Sequence, residues 1–331
     1  MGNCVRSAKR YRLPASGPYP EPSSANAPLR LDEEIMSPAA RPPVPADRRF
    51  LTGLIGAPIA HSASPAMHER AAEALGAHCH YQLIEVADAG REELRLLLDG
   101  VRRLKFAGVN VTFPYKEAVV PLLDELSPGA RAIGAVNTVV VRDGRLVGYN
   151  TDTTGFARAI AELVRDPAQS AVAVIGAGGV GKAIAFALAA TGVTDIRIFD
   201  TDPVKARHLA SLLESQARTS VAVSVEDAMR GVTGLVNGSP VGMLPSRATP
   251  VPEALLHDGL WVVDAVYTPL WTPLLNAAKA KGAKVMTGRE LAIYQAADAF
   301  ELFTGLKPSA VEMGNAFDAV MAKRFAKVNA A

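Results

Sequence analysis

The stretch VAVIGAGGVGKA, Val172 to Ala183, constrains the fold of this chain more than any other part of the sequence. It includes most of Ala171–Ile175, a short continuous apolar run of the kind that forms a strand buried on both faces. Three glycines follow in GxGxxG spacing, and we predict a helix over 181–191. The first glycine permits a tight turn, the second lets a pyrophosphate approach the backbone, and the third permits close packing of the helix on the strand.

These roles predict a Rossmann-type dinucleotide-binding unit, with the amide end of the helix facing the phosphates. The loop residues expected to contact the cofactor are Gly176, Ala177, Gly178, Gly179, Val180 and Gly181.

Asp200 follows the next predicted strand, at 195–199, and lies about 20 residues beyond the glycines, as expected for the acid that binds the ribose of NAD. Its carboxylate can accept hydrogen bonds from both ribose hydroxyls and would repel the 2′-phosphate of NADP. Thr201 and Asp202 come next, with no arginine to pair with that phosphate. The sequence therefore favours NAD over NADP. Asp202, directly before Pro203, is predicted to cap the following helix.

The length of 331 residues allows two domains. Strand-like and helical stretches alternate from Phe50 onward, which predicts an α/β fold with mostly parallel strands. We predict a substrate-binding domain over 49–155, completed by C-terminal helices within 289–331, and a Rossmann-type NAD(P)-binding domain over 156–288. Residues 1–48 are rich in Pro, Ser, Ala and Arg without apolar periodicity, and are predicted to be a disordered tail.

The individual elements are predicted from hydrophobic periodicity and turn signals. The strands are predicted at 50–55, 81–86, 107–112, 135–141, 145–149, 171–175, 195–199, 221–225 and 260–265. The helices are predicted at 65–75, 91–98, 115–126, 154–164, 181–191, 203–215 and 291–304. Asp143-Gly144 predicts a hairpin turn between the fourth and fifth strands.

The composition argues against several classes of function. A formal net charge of +2 is not that of a nucleic-acid-binding protein. Only two cysteines are present, which excludes a disulfide framework and is typical of the cytoplasm, where we place the protein. No apolar run reaches the roughly 18–20 residues that cross a bilayer, so we predict no membrane partner. His78, Cys79 and His80 alternate between the two faces of a strand, and we predict no metal site.

A bound nicotinamide implies hydride transfer, so a partner alcohol must also lose a proton. Lys116, in VNVTFPYKE, is predicted in the first turn of the helix at 115–126, where the helix dipole disfavours a cation. It is either a solvated lysine or a desolvated proton acceptor, and the residues alone do not choose between these. Asp152, in GYNTDTTG, is either the cap of the helix at 154–164 or a second chemical group.

Two further pairs of polar residues lie around the helix at 65–75. Ser62 and Ser64 precede it, one of them is predicted to cap it, and both hydroxyls suit a polyol or carboxylate ligand. His61 and His68 are predicted to serve packing, because nothing in the sequence orients either ring.

Seven motifs resemble the shikimate/quinate dehydrogenase family and occur in order over about 50–305. They are PIAHSASPAMH, NVTFPYKE, GAVNT, GYNTD, GAGGVG, DAVYTPLWTPLL and GRELAIYQAADAFELFTG. The resemblance implies a cleft between a substrate domain and a nicotinamide domain. It also implies that Lys116 and Asp152 are the catalytic pair that handles the proton of the ring hydroxyl, and which of them is the base stays open.

The same resemblance assigns the remaining site residues. Those expected to bind substrate are Ser62 and Ser64 at its carboxylate, Asn110, Thr112 and Asn137 at the ring hydroxyls, and Tyr267 and Gln295 from the second domain and the terminal helix. Gly288 matches a backbone contact on the cofactor side, and Ala265 is placed in the same set.

NADP-using shikimate enzymes of the family carry an Asn-Arg-Thr-like run where this chain has Asp200-Thr201-Asp202, so the resemblance is to the NAD-using branch. Quinate-type enzymes tend to have Thr where this chain has Ser64, and the choice between shikimate and quinate stays open. We expect an NAD-preferring oxidoreductase that interconverts shikimate and 3-dehydroshikimate, with quinate and 3-dehydroquinate as a further pair.

Two alternatives stand beside that expectation. One is a strictly NADP-dependent shikimate dehydrogenase of aromatic amino-acid biosynthesis, and the other is a non-catalytic nucleotide-sensing protein on the same fold. The expected partners are small polyhydroxy cyclohexane or cyclohexene carboxylates, and the protein is expected to be a monomer or a homodimer.

Overall fold

The structure, a computed structural model, describes residues 47–329. Residues 1–46 of the predicted tail lie outside this range. The described chain forms two six-stranded sheets with helices packed on them. The predicted α/β class is confirmed, whereas the division into domains at 49–155 and 156–288 stays a prediction. No helix within residues 47–329 is long and apolar enough to span a membrane.

Six strands form the first sheet: β1 (Arg49–Gly56), β2 (His78–Glu85), β3 (Gly108–Val111), β4 (Glu125–Leu126), β5 (Thr138–Arg142) and β6 (Arg145–Tyr149). Their order is β2-β1-β3-β5-β6-β4. β1 runs parallel to β2 and β3, and β5 runs antiparallel to β3 and β6. Asp143 and Gly144 join β5 to β6 with positive φ angles of 50° and 76°, as the predicted Asp-Gly hairpin turn requires.

The second sheet is parallel throughout: β7 (Ala171–Ile175), β8 (Asp195–Phe199), β9 (Arg218–Val221), β10 (Gly234–Asn237), β11 (Trp261–Asp264) and β12 (Lys284–Met286). Its order, β12-β11-β10-β7-β8-β9, is that of a doubly wound dinucleotide-binding sheet. The carboxyl ends of β7 and β10 lie side by side at the point where this order reverses, which is where such sheets bind ligands.

Ten α-helices complete the described chain. They are α1 (Ser64–Ala74), α2 (Arg91–Arg103), α3 (Pro128–Ile133), α4 (Thr151–Ile160), α5 (Gly179–Ala190), α6 (Pro203–Leu213), α7 (Val225–Ala228), α8 (Pro273–Ala280), α9 (Gly288–Thr304) and α10 (Ala310–Asn329). The helix α2 shows why these segments are helical. It buries Leu94, Leu98 and Val101 at helical spacing, and its charges are acidic in the first turn and basic in the last.

The last two helices return to the first sheet. Phe300 of α9 and Phe317 of α10 lie in one fully buried core with Phe50 of β1 and Met67 of α1. Gly305 ends α9 in the left-handed conformation, as a glycine C-cap does. A separate core combines Ile160 of α4 with residues of β7 and β8, so apolar packing runs from the helices of the first sheet into the second.

The helix predicted at 115–126 is wrong. The segment forms turns over its first residues, then a 3-10 helix at Val120–Leu122 and the short strand β4. Pro121 would stand in the interior of the predicted helix, where it has no N–H to donate and its ring clashes with the preceding turn. Lys116 therefore lies in a turn, and the argument that a helix dipole opposes its charge does not apply.

Other elements differ less. The strand predicted at 221–225 lies at Arg218–Val221, and the helix predicted at 154–164 begins three residues earlier, at Thr151. Six elements had no counterpart in the prediction, because they are short and lack a full period of apolar spacing. They are β4, β10, β12, α3, α7 and α8, whereas α10 falls within the C-terminal helices predicted at 289–331.

Candidate active site

Lys116 and Asp152, the two residues that the sequence left with two interpretations each, meet in one ion pair. The Nζ atom of Lys116 lies 2.5 Å from Oδ2 of Asp152, and the two side chains are 14% and 10% exposed. Asp152 lies in the first turn of α4, where the helix dipole favours negative charge, and Asn150 occupies the cap position. Asp152 is therefore not the helix cap, and its carboxylate is available to Lys116.

Asn137 fixes the second oxygen of that carboxylate. Its Nδ2 donates to Oδ1 of Asp152 at 2.9 Å and to Oγ1 of Thr151 at 3.0 Å. Its Oδ1 accepts from the backbone N–H of Thr151 at 2.8 Å and from Oγ1 of Thr138 at 2.9 Å. Because both ends of the Asn137 amide are engaged, its orientation and that of the carboxylate are set together.

Asn110, on β3, extends this network toward the serines. Its Nδ2 donates to Oγ1 of Thr138 at 3.0 Å, and its Oδ1 accepts from the Tyr81 hydroxyl at 2.8 Å. Tyr81 also hydrogen-bonds to Ser64, whose Oγ accepts from Ser62 at 3.1 Å. Burial raises the pKa of Tyr81 far above its usual value, so its hydroxyl keeps its proton. One hydrogen-bonded chain therefore joins the predicted carboxylate-binding serines to the Lys116–Asp152 pair.

The prediction that a serine caps α1 is wrong. The cap position is Ala63, and no side chain caps this helix end. Oγ of Ser62 instead accepts the backbone N–H of Ser64 at 3.2 Å, which holds the two hydroxyls close together. Thr112, half-buried, follows β3 directly and stands two residues beyond Asn110 on the way to Lys116.

Tyr267 and Gln295 are contributed by the segment after β11 and by α9. The ring of Tyr267 packs edge-on against Phe317, with ring centres 5.9 Å apart. Desolvation of its hydroxyl raises the pKa of Tyr267, the charge of Arg324 lowers it and the charge of the Asp152 carboxylate raises it, although the residue as a whole is 36% exposed. Gln295 lies on α9 where this helix meets α4, and its Nε2 donates to the Ala292 carbonyl at 3.0 Å.

The glycine loop has the form that a pyrophosphate requires. Gly176 has a φ of +102°, which side chains rarely permit, and a Cβ on Gly181 would lie 1.9 Å from the Gly176 carbonyl oxygen. A Cβ on Gly178 would meet no atom within 4 Å, so open backbone faces outward there. Gly178 is also the N-cap of α5, whose first N–H groups need acceptors. The loop therefore fits the phosphates of a dinucleotide.

Asp200 lies directly after β8 and is oriented by the same loop. Its Oδ2 accepts the backbone N–H of Ala177 at 2.7 Å, and its Oδ1 accepts the N–H of Asp202 at 2.8 Å. A carboxylate has about four acceptor positions, so both oxygens keep capacity for ribose hydroxyls. Oδ1 of Asp202 accepts the Val204 N–H at 2.9 Å, which confirms Asp202 as the cap of α6.

The structure also brings Ala265 and Gly288 together. A Cβ on Gly288 would lie 2.6 Å from the Ala265 carbonyl oxygen, so only glycine allows this approach. The loop at 265–272 is held by Asp264, whose carboxylate accepts from Asn237, from the Val266 N–H and from Thr272. Burial raises the pKa of Asp264 to about 6, against the opposing effect of these three hydrogen bonds.

Several site residues were not predicted. Tyr81, Thr138 and Thr151 are central to the hydrogen-bonded chain. Thr138 and Thr151 lie within the motifs GAVNT and GYNTD but were given no role, and Tyr81 is an aromatic residue within the strand HCHYQLIE. Of the two histidines, His68 is fully buried with its ring centre 4.6 Å from that of Tyr81, which confirms its packing role. Within residues 47–329 no group of three His, Cys, Asp or Glu side chains is placed to hold a metal ion.

Comparison with known proteins gives two family matches. Residues 54–139 match the shikimate dehydrogenase substrate-binding domain, and residues 149–217 match the ThiF family. A quinate/shikimate dehydrogenase (NAD(+)) of Corynebacterium efficiens is 45% identical over 276 residues, which are 81% of this chain and 97% of that protein. A shikimate dehydrogenase (NADP(+)) of Streptomyces avermitilis is 42% identical, over 80% of this chain and 93% of that protein.

Among solved structures, quinate dehydrogenase from Corynebacterium glutamicum in complex with NAD superimposes with a TM-score of 0.76 at 40% identity. The match covers 82% of this chain and 99% of that one. Sequence identity at this level over nearly the whole length of each relative confirms the resemblance drawn from the seven motifs. The chain belongs to the shikimate/quinate dehydrogenase family.

Proposed function

We propose that the protein is an NAD-preferring dehydrogenase that interconverts shikimate and 3-dehydroshikimate, with quinate and 3-dehydroquinate as a second pair. Relatives named for NAD-linked quinate and shikimate oxidation support the reaction, and Asp200 supports the cofactor. The observation that carries the proposal is the partly buried Lys116–Asp152 pair, 2.5 Å apart and beside the glycine loop.

The pair suits the proton half of the reaction. Oxidation of a secondary alcohol removes a hydride from carbon and a proton from oxygen, and a positioned side chain must take that proton. In the ion pair the Asp152 carboxylate is the open proton acceptor, and Lys116 becomes one when it passes its own proton to Asp152 across their hydrogen bond. Asn137 holds Asp152 in place, so the acceptor has one orientation before the substrate arrives.

The hydrogen-bonded chain suits the substrate, which combines a carboxylate with ring hydroxyls. Ser62 and Ser64 are proposed at the carboxylate, and Tyr267 and Gln295 on the opposite side of the cleft. Asn110, Thr112 and Asn137 are proposed at the ring hydroxyls. The hydrogen-bonded chain that contains these residues supports the assignment, because it offers both donors and acceptors. Each hydroxyl of a polyol can donate one hydrogen bond and accept others.

The dinucleotide is proposed to lie on the loop from Gly176 to Gly181, with Asp200 at the adenosine ribose and Ala265 and Gly288 at the nicotinamide end. When bound there, NAD supplies the hydride acceptor. The residues of this chain contribute the N–H groups of α5 for the phosphates and two carboxylate oxygens for the ribose.

Initial rates with shikimate and quinate, each with NAD⁺ and NADP⁺, test the proposal. We expect kcat/KM to be about tenfold or more higher with NAD⁺, because apposed like charges cost several kcal/mol. Asp200→Asn should lower the ratio of kcat/KM with NAD⁺ to kcat/KM with NADP⁺. Asp202→Asn, which keeps the α6 cap, should change this ratio less. Equal or better use of NADP⁺ by the wild-type protein would show that Asp200 does not select the cofactor.

Oligomeric state and location belong to the same proposal. We expect a monomer or a homodimer, and we place it in the cytoplasm because only two cysteines occur among 331 residues. Light scattering coupled to size-exclusion chromatography distinguishes a particle of 34.8 kDa from one of twice that mass.

A further inference from the structure

Lys182 is a buried cation in an unfavourable place. It stands in the first turn of α5, immediately after the glycine loop, and its side chain is 5% exposed. The helix dipole disfavours positive charge at this end, and burial of an ammonium group is costly unless an anion is paired with it. Glu117 supplies the anion, because its Oε1 lies 2.7 Å from Nζ of Lys182.

This ion pair joins the two functional parts of the site. Glu117 follows Lys116 in the turn after β3, whereas Lys182 belongs to the helix that begins at the glycine loop. Gly179 and Lys182 are three residues apart and therefore share a face of α5. That face also meets Lys116, since a Cβ on Gly179 would lie 3.5 Å from Cδ of Lys116. Two successive residues of the turn thus rest on one face of the cofactor helix.

The charge that balances Lys182 comes from Glu117, because the neighbouring titratable group, His208, is uncharged. His208 of α6 is close to both, and burial followed by the charge of Lys182 lowers its pKa, so it is neutral at neutral pH. Glu117 is 48% exposed while Lys182 is nearly buried. The two partners therefore differ. Without the ion pair, water could still solvate the Glu117 carboxylate, whereas it could not reach the ammonium group of Lys182.

We propose that Glu117 and Lys182 are positioning residues that fasten the turn carrying Lys116 to the dinucleotide-binding helix. The phosphates of the cofactor and the proton-handling ammonium group of Lys116 are then placed by the same helix end. Cofactor binding and the position of Lys116 are coupled as a result, and such coupling acts equally in both directions. The role of Lys116 in this argument rests on the function proposed above.

Lys182→Met is the informative change, because it keeps the length of the side chain and leaves the carboxylate of Glu117 in reach of water. We expect kcat with shikimate and NAD⁺ to fall by about 10- to 100-fold, as displaced catalytic groups cause, with little change in the KM for shikimate. Calorimetry should show weaker NAD⁺ binding, by about fivefold or more. In the cofactor-free protein, an amine-reactive reagent should label Lys116 faster than in the wild type, as read by peptide mass spectrometry.

Two comparison proteins complete the experiment. Arg218→Met removes the ion pair between Arg218 and Asp195, also 2.7 Å, at the β8–β9 edge, and should leave all three readouts unchanged. The exchange Glu117→Lys with Lys182→Glu restores a pair of opposite charge and should recover most of the lost kcat, whereas Glu117→Lys alone should not.

Wild-type values of kcat, NAD⁺ affinity and Lys116 labelling in Lys182→Met would overturn the inference, and so would a folded exchange protein with no recovery. Absence of turnover in the wild-type protein itself would instead refute the proposed function. The calorimetric and labelling comparisons would still decide the coupling in that case, because they need no reaction.

Discussion

At the scale of single residues, the place of Lys116 in the site depends on a contact that is distant in sequence. The sequence singled it out because it was expected in the first turn of a helix, and that helix does not exist. Its importance comes from a contact with Asp152, 36 residues away, that no local rule describes. Helix propensity and capping rules concern neighbours within a few positions, so the pair was accessible only through the family resemblance.

Replacing Lys116 by alanine tests the chemical role directly. We expect kcat to fall by about 10²- to 10⁴-fold, the contribution usual for a positioned acid or base. NAD⁺ affinity should change little, because the glycine loop and Asp200 are intact. Steady-state kinetics and calorimetry give the two numbers, and equal losses in both would identify a structural lysine.

His68 carries a prediction about pH. Burial lowers its pKa from 6.5 to about 3, and neither ring nitrogen has a hydrogen-bond partner among the described residues. The folded protein therefore binds fewer protons than the unfolded chain between these values, and stability is lost as the pH falls through 6.5. At pH 5 the loss is about 2 kcal/mol of unfolding free energy.

His68→Leu should remove that loss, since leucine is apolar and close in volume. In urea denaturation, the unfolding free energy of the variant minus that of the wild type should increase by about 2 kcal/mol when the pH is lowered from 7 to 5. Other groups titrate in both proteins and cancel in this difference. A gain that is the same at both pH values would mean that His68 is protonated or paired in the folded state.

At the scale of elements, prediction succeeded where a full period of apolar spacing was present. The strands at Ala171–Ile175 and Asp195–Phe199 were predicted at their observed bounds. The first is a continuous apolar run, as in strands buried on both faces, and the second buries every other residue. The short strands β4 and β12 have two and three residues and carry no such period. They are strands because they pair with β6 and β11, and not because of their local sequence.

The contact between α4 and α9 can be tested through Gly155. A Cβ at this position would lie 2.5 Å from the backbone nitrogen of Gln295, and backbone atoms cannot move aside as a side chain can. Gly155→Ala should therefore lower the unfolding free energy by about 1–3 kcal/mol. It should also raise the KM for shikimate, because α4 carries Asp152 and α9 carries Gln295.

Gly100 of α2 is the matched control. A Cβ there would meet nothing within 4 Å, so Gly100→Ala should stabilise the protein by about 1 kcal/mol through helix propensity. Its KM should equal that of the wild type. Thermal denaturation measures the stability of both variants, and initial rates measure their KM. If Gly155→Ala were as stable as Gly100→Ala, the α9 backbone would be able to move away from the added Cβ at no cost in stability.

For the whole molecule, the sequence predicted the type of the second sheet but not the position of every strand in the first. The order of the second sheet follows from its glycine loop and alternating elements, which is why the Rossmann unit was predicted correctly. In the first sheet, β5 runs antiparallel to both of its neighbours, β3 and β6, and β4 pairs with β6 on the far side. The Asp-Gly turn predicted that reversal, but no residue signal gave the place of β4.

Cofactor binding should stabilise the molecule as a unit. The core that contains Ile160 of α4 continues into β7 and β8, so the two sheets share apolar packing. NAD⁺ at a hundredfold excess over its dissociation constant should add about 2.7 kcal/mol of stability, in a single melting transition at higher temperature. NADP⁺ at the same concentration should raise the melting temperature less. Two transitions, with only one of them moved by NAD⁺, would mean that the sheets unfold independently.

The pairing of α4 with α9 has a consequence for engineering. Thr154 contacts Asp298 at 2.5 Å, and further along α4 the Arg158 guanidinium lies 4.6 Å from the centre of the Tyr294 ring, which is earlier on α9. The helices therefore run in opposite directions, and the end of α4 lies near the beginning of α9. The chain leaves and re-enters the first sheet's assembly at one location. We therefore expect that the intervening segment, which we propose to bind the dinucleotide, can be exchanged through two neighbouring junctions for the matching segment of a relative with the other cofactor preference.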